Sequence, residues 1–187
     1  MNAQRLARAF DHGHDYEAYL ATDAGRAANW RRVGEQIELT EDQRTLLGGF
    51  SRQMRVLAIS GIWCGDCAQQ GPLIQAIADG SDAIDLRWVD RDDEAELAAQ
   101  VRINAGDRVP VLIFMAEDCE PVSVFGDRTL TRYRAMAEKQ LGGACPLPGA
   151  PVPADELAGT LQDWLDEFER VHLLLRLSGR LRQKHGD

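Results

Sequence analysis

Apolar residues recur at helical intervals through the first fifty positions of the chain. Leu6, Phe10, Tyr16, Tyr19 and Leu20 come first, then Trp30, Val33 and Ile37, a spacing that predicts amphipathic helices. Thr40-Glu41-Asp42-Gln43 has the form of a capping box ahead of Leu46, Leu47 and Phe50, and Gly48-Gly49 closes that short helix. From residue 54 the period changes. "MRVLAIS" (54–60) is a short apolar, β-rich run and reads as a buried strand. Leu73, Ile74, Ile77 and Ala78 then form a helical stripe up to Gly80, and "AIDLRWVD" (83–90) alternates like a strand.

"DEAELAAQVRI" (93–103) predicts a helix with an acidic start. "VPVLIFM" (109–115) is the most apolar strand, and "EPVSVF" (120–125) follows closely enough for a hairpin. Leu130, Tyr133, Ala137 and Leu141 mark a helix ending at Gly142-Gly143. The Gly/Pro-rich stretch 142–153 reads as a linker. Beyond it, Leu157, Leu161, Trp164, Leu165, Phe168, Val171 and Leu175 line one face of a long helix, and the polar tail 178–187 is expected to fray. The order strand–helix–strand–helix–strand–strand–helix predicts an α/β fold that joins parallel crossovers to an antiparallel hairpin.

Composition narrows the function. The 187 residues include 30 acidic and 21 basic side chains, for a formal charge of −9. That balance argues against nucleic acid or an anionic membrane as the main partner, because both require a basic face. No apolar run approaches a membrane span, and the first residues lack the pattern of a secretory signal, so a cytoplasmic location is the expectation. Four cysteines are too few for a disulfide scaffold, and in a reducing compartment a disulfide would be transient and functional.

Two of those cysteines stand at Cys64 and Cys67 in "SGIWCGDCAQQGP". The spacing alone fits a redox pair, half a zinc site or two buried thiols. At a strand-to-helix boundary, the free N–H groups of the helix start and its dipole would favour a Cys64 thiolate, the attacking species. Cys67, about one turn on, could resolve a mixed disulfide on Cys64. Gly65 would permit a tight helix entry and Asp66 would add negative charge, raising the thiol pKa. Pro72 should bend the helix. A cis bond at Val109-Pro110 would leave the Val109 backbone free beside the sulfur, where a substrate strand could pair with it.

Together, "WCGDC" after a buried strand, Pro72, and "RVP" with Pro110 lying 43 residues beyond Cys67 resemble the thioredoxin family, most closely bacterial thioredoxin-like proteins with Asp in the active-site motif. The resemblance covers about residues 50–141. It implies a three-layer α/β/α sandwich with a mixed sheet and added N- and C-terminal helices. On that view residues 1–50 are a helical extension packing on the core, 51–141 the thioredoxin-like domain, and 142–187 the linker and final amphipathic helix. It also implies Cys64 as nucleophile, Cys67 as resolving thiol, Trp63 as a flank of the site, and Val109 with the cis Pro110 facing substrate. The carboxylate that assists the resolving thiol in thioredoxins would fall six residues before Cys64, where this chain has Ala58. Asp66 is a candidate replacement as proton acceptor for Cys67.

Other residues have plainer readings. Cys119 and Cys145 are 26 residues apart without close His or Cys partners, unlike zinc ligands. Asp90, Asp92, Asp93 and Glu94 suit an acidic helix start better than a metal cluster, His12 and His14 a solvated turn, His172 a packing position, and Trp30, Trp88 and Trp164 the core or an interface. The expectation is therefore a thiol–disulfide oxidoreductase of protein or small-molecule disulfides, re-reduced by an external reductase. No metal is expected, and no organic cofactor, since there is no G-x-G-x-x-G motif. The competing expectation is a binding module, an adaptor or chaperone on the same fold with incidental thiols.

Overall fold

The structure, a computed structural model, describes residues 1–141 and 154–187. The helix stop assigned to Gly142-Gly143, the 142–153 linker and Cys145 lie outside the described residues. Four helices lead: α1 (Ala3–His12), α2 (Tyr16–Ala21), α3 (Ala24–Gly34) and α4 (Glu41–Gly48). Each starts on a side-chain cap. Asn2, Asp15 and Asp23 accept from the N–H groups of Arg5, Ala18 and Arg26 at 2.9, 2.8 and 3.1 Å. Thr40 and Gln43 form the reciprocal capping box expected from the sequence. Such caps contribute about 1 kcal/mol each and fix where short helices begin.

The sheet follows, with β1 (Met54–Ser60), α5 (Gly65–Asp79), β2 (Ile84–Asp90), α6 (Ala95–Ala98), β3 (Val111–Ala116) and β4 (Pro121–Gly126). The chain continues through α7 (Leu130–Leu141), α8 (Ala154–Leu177) and α9 (Gly179–His185). Strand order is β2-β1-β3-β4. β1 and β2 are parallel, whereas β3 runs antiparallel to both β1 and β4. One parallel crossover is therefore present among the described residues, not the several expected. The outer edge of β2 is partly covered by His14, whose backbone exchanges bonds of 2.8 and 2.9 Å with Trp88.

Registered partners point to the same face of a sheet. Val56, Ala58 and Ser60 thus share a face with Leu86, Trp88 and Asp90, and with Leu112 and Phe114. Helices cover this face: Phe168 of α8 meets Phe114 edge-on, and Trp30 of α3 meets Trp88 edge-on. On the opposite face Phe10 of α1 lies beneath the Arg55 and Arg87 guanidiniums. The result is helix–sheet–helix layering around a mixed four-stranded sheet.

Three tryptophans are the largest side chains of the interior. Trp30, Trp88 and Trp164 are fully buried. Trp30 sits against Gly71 of α5 so closely that a Cβ at residue 71 would lie 2.0 Å from the ring. The N-terminal helices therefore meet the central helix without a gap. His172 stacks on Phe50 and accepts a 3.0 Å hydrogen bond from the Ser51 N–H, in keeping with a packing position.

Two expectations are corrected. The helix predicted over 93–103 contracts to α6, because Glu94 makes no side-chain cap and Asn104 and Ala105 take left-handed φ values of 48° and 59°. The tail does not fray. Ser178 caps α9, Leu181 is buried, and Arg180, Lys184 and Asp187 pair with Asp118, Glu117 and Arg52.

Candidate active site

β1 ends at Ser60, and after the intervening residues 61–63 the chain enters α5 with Cys64 as its N-cap, in extended backbone (φ −85°, ψ 127°). The Cys64 side chain caps no N–H, so its sulfur is free to react while the first-turn N–H groups lie beneath it. The Cys64 N–H donates to the Gly61 carbonyl at 2.9 Å, closing the turn that carries Trp63. Gly61 is required there, since a Cβ would stand 2.6 Å from the Trp63 ring. From below, the Trp30 indole N–H donates to the Ile62 carbonyl at 3.3 Å, tying the loop to the N-terminal helices.

Cys64 is partly exposed and Cys67 fully buried, and both thiols are free. Their proton affinities separate accordingly. Cys64 is pulled down to about 6, chiefly by a hydrogen bond from the Cys67 thiol and against the cost of burial, with help from the N–H groups of Cys67 and Asp66. Cys67 is pushed up by burial, and further by sharing its proton with Cys64. One sulfur is thus set to be a thiolate near neutrality and the other to stay a thiol.

Across the site, the Val109-Pro110 bond is cis and the Val109 carbonyl lies 3.9 Å from the Cys64 sulfur. Val109 and Pro110 are themselves buried, so the element they offer toward the sulfur is the Val109 backbone rather than a side chain. Gly126 lets this loop close, because a Cβ there would lie 2.5 Å from the Pro110 carbonyl oxygen. Trp63 is 39% exposed, with the Arg91 guanidinium 4.6 Å above its ring. Arg91 also donates to the Asp107 carbonyl at 3.2 Å, bridging the two loops that flank the thiols.

Gly65 is corrected. Its backbone is not left-handed and a Cβ would meet no atom within 4 Å, so the helix entry does not demand glycine. Asp66 is also placed differently from the expectation. Its carboxylate is held by Arg128, through Nε at 3.0 Å and a second bond, and by Arg132 at 3.2 Å. This pairing turns it toward α7, not toward Cys67. Its charge still pushes the Cys64 pKa upward, but that is the last of the effects on a thiol whose net shift is down. Neither Arg128 nor Arg132 is marked in the sequence, since both are polar positions outside the apolar stripe that predicts the helix. Arg128 lies in the loop before α7 and Arg132 in its first turn, so only the fold brings the two together on Asp66.

A buried chain of polar groups supports the loop at Pro110. Asp127 receives Arg108 at 3.2 Å, Arg128 at 3.3 Å and the Tyr133 hydroxyl, while its carbonyl accepts from Gln70 of α5 at 3.0 Å. Gln70 in turn accepts from the Trp164 indole at 3.1 Å, which links α8 to the same network. Cys119 is remote from this site, at the β3–β4 turn, where its sulfur lies 3.1 Å from Arg55.

The Cys64 pKa gives a pH prediction. Alkylation by iodoacetamide requires the thiolate, so its rate should be flat at alkaline pH and fall as pH drops through about 6. A midpoint near the ordinary thiol value of about 8.5 would mean that the helix start and Cys67 do not act on this sulfur.

The family model described as Thioredoxin matches residues 13–139. The match begins within the N-terminal helices, so most of them lie inside the family pattern. Among solved structures, a protein of unknown function, PA1234 from Pseudomonas aeruginosa, is similar at 18% identity and TM-score 0.70, over 88% of this chain and 96% of that one. An HIV epitope-scaffold is similar at 17% identity and TM-score 0.67, over 88% and 95%. Fasciola hepatica thioredoxin aligns at 23% identity over 52% and 90%, with TM-score 0.36. A search of curated proteins gave no match. With about two thirds of its length inside that match and its two thiols at the junction of strand and helix, the chain belongs to the thioredoxin family.

Proposed function

We propose that this protein is a thiol–disulfide oxidoreductase that reduces disulfides of proteins or small molecules through Cys64 and Cys67. The observation that carries the reading is the asymmetry of the pair: a partly exposed Cys64 held near pKa 6 and a buried Cys67 held high. The Cys64 thiolate attacks a substrate disulfide, forms a mixed disulfide and releases one substrate thiolate. Cys67 then attacks the Cys64 sulfur, releases the second substrate thiol and leaves a Cys64–Cys67 disulfide. An external dithiol reductant returns the pair to its starting state. Substrate backbone pairing at Val109, with Trp63 as an apolar flank, gives the site its contacts.

No helix among the described residues is long and apolar enough to cross a membrane. The reducing cytoplasm, which keeps such a pair in its dithiol form, suits this chemistry. The helices of residues 1–50 and of the C-terminal segment act in this reading as a frame for the 51–141 core.

A redox titration tests the proposal, with thiols trapped by alkylation and counted by mass. A lowered Cys64 pKa stabilises the reduced state, and about 6 lies nearer thioredoxin's roughly 7 than DsbA's roughly 3.5. The expected result is one two-electron transition confined to Cys64 and Cys67, nearer roughly −270 mV than roughly −120 mV. The absence of a reversible transition at this pair would remove the enzymatic reading and leave the adaptor.

A further inference from the structure

Two buried hydroxyls near the reactive pair have no partner among the described residues. Ser60, the last residue of β1, is fully buried, and Tyr19 of α2 is 1% exposed. Among the described residues, neither the Ser60 Oγ nor the Tyr19 Oη has a hydrogen-bond partner. A buried polar group left in that condition costs about 1–3 kcal/mol, and such a group in a native fold calls for a reason.

Their placement supplies one. Ser60 shares the sheet face of Ala58 and lies two residues further toward the thiols, on the side covered by α2, α3 and α5. Tyr19 stacks on Trp88, the residue registered with Ala58, at 5.7 Å between ring centroids. Its phenol therefore belongs to the same buried layer as Ser60 and Cys67. Ala58 contributes no polar atom to that layer, and the Asp66 carboxylate is engaged by Arg128 and Arg132. Cys67, fully buried, must nonetheless surrender a proton before it can attack.

We propose that Ser60 solvates the Cys67 thiolate as it forms, and that Tyr19 positions Ser60 for this by donating to its oxygen. The inference rests on the redox reading above. In the resting state the Cys67 S–H serves Cys64, and the Ser60 hydroxyl waits without a partner among the described residues. As the mixed disulfide is resolved, the Ser60 O–H rotates to donate to the Cys67 sulfur while the Tyr19 O–H donates to Ser60 Oγ. The Cys67 S–H bond and the mixed S–S bond break. The Cys64–Cys67 bond and the S–H of the departing substrate thiol form, so the Cys67 proton leaves with the product. Two electrons pass from the dithiol to the substrate disulfide over the whole cycle, and no further oxidant or reductant enters this step.

The electrostatics agree with this geometry. Burial raises the Cys67 thiol and Ser60 lowers it, while burial raises the Tyr19 phenol, keeping it a neutral donor, and Ser60 lowers it in turn. The titratable groups that face Tyr19 in this layer are Cys67 of α5, Asp90 of β2 and Cys64 at the cap of α5, all of which add to its rise. In this proposal Ser60 is the group that meets the reacting sulfur as it becomes a thiolate, and Tyr19 is a positioning residue.

The test follows full-length protein reacting with 5,5′-dithiobis(2-nitrobenzoate) in stopped flow across a range of pH. Attack by Cys64 releases the first nitrothiobenzoate in proportion to reagent, and resolution by Cys67 releases the second at a rate independent of it. Ser60→Ala should slow the second phase about tenfold and Tyr19→Phe about threefold, as expected for losing hydrogen bonds to a developing charge. Both should move that phase's pH profile to the alkaline side and leave the first phase unchanged, and Ser60→Thr should restore the wild-type rate. Since each deletion removes a hydroxyl without a partner, folding should survive. An unchanged second phase in both deletions, or an equal fall of both phases, would overturn the role of the hydroxyls. If the wild type shows a first phase but no second, the redox reading itself fails, and this proposal with it.

Discussion

Replacing Cys64 with Ser should abolish disulfide reduction, lowering the rate by more than about a thousandfold, the order of loss seen when a nucleophile is removed. A serine hydroxyl at the helix start remains protonated at neutral pH, so the dipole that favours a thiolate has no anion to stabilise. Cys67→Ser should behave differently. The first attack should persist, because Cys64 stays partly exposed, keeps the N–H groups of the helix start and can accept from the introduced hydroxyl in place of the Cys67 thiol, whereas the mixed disulfide should accumulate as a stable mass adduct. The measurement is insulin-disulfide reduction with dithiothreitol as electron donor, alongside intact mass after exposure to a disulfide substrate. The pair of variants also separates the two expectations drawn from the sequence. An adaptor with incidental thiols would lose nothing on Cys64→Ser, and full activity in that variant would end the enzymatic reading.

The second large effect is on stability. Trp30→Ala should lower the free energy of unfolding by about 3–5 kcal/mol, the range for large aromatic deletions in a core. Trp30 is fully buried, meets the rings of Tyr16, Tyr19 and Trp88, donates to the Ile62 carbonyl, and fills the space that Gly71 leaves open. Its loss leaves a cavity between α3 and α5 that neighbouring helices cannot close. Urea unfolding measures it, and at about 2–4 °C per kcal/mol for a chain of this size the midpoint temperature should fall by roughly 10 °C. The reciprocal change, Gly71→Ala, should also destabilise, by about 1–3 kcal/mol through overpacking. A loss below about 1 kcal/mol for Trp30→Ala would mean that the N-terminal helices contribute little to the stability of the core. That outcome would argue against the frame proposed for residues 1–50.

The fold was legible where local chemistry and periodicity agree. β1 and β3 were readable because strands covered on both faces are continuously apolar, and the Thr40/Gln43 box because capping is decided within four residues. The helix over 93–103 was overextended because an Ala- and Leu-rich run scores as helix without revealing the left-handed turn at Asn104 and Ala105. The tail looked frayed because its polar residues find partners only in loops distant in sequence, such as Glu117 and Asp118.

The same division runs through the site. By itself the sequence determined the two thiols, their one-turn spacing, the strand before them and the Val-Pro ahead of β3, all of which depend on residues adjacent in the chain. Only the tertiary structure decided what surrounds them. It turned Asp66 onto Arg128 and Arg132, brought the Val109 carbonyl to Cys64 from 45 residues away, and set Trp30 beneath the loop. It also buried Tyr19 and Ser60 in the layer that holds Cys67. A thiol's nucleophilicity depends on charge, burial and hydrogen bonds within a few ångströms, and those neighbours come from separate segments that meet only when the sheet and helices pack.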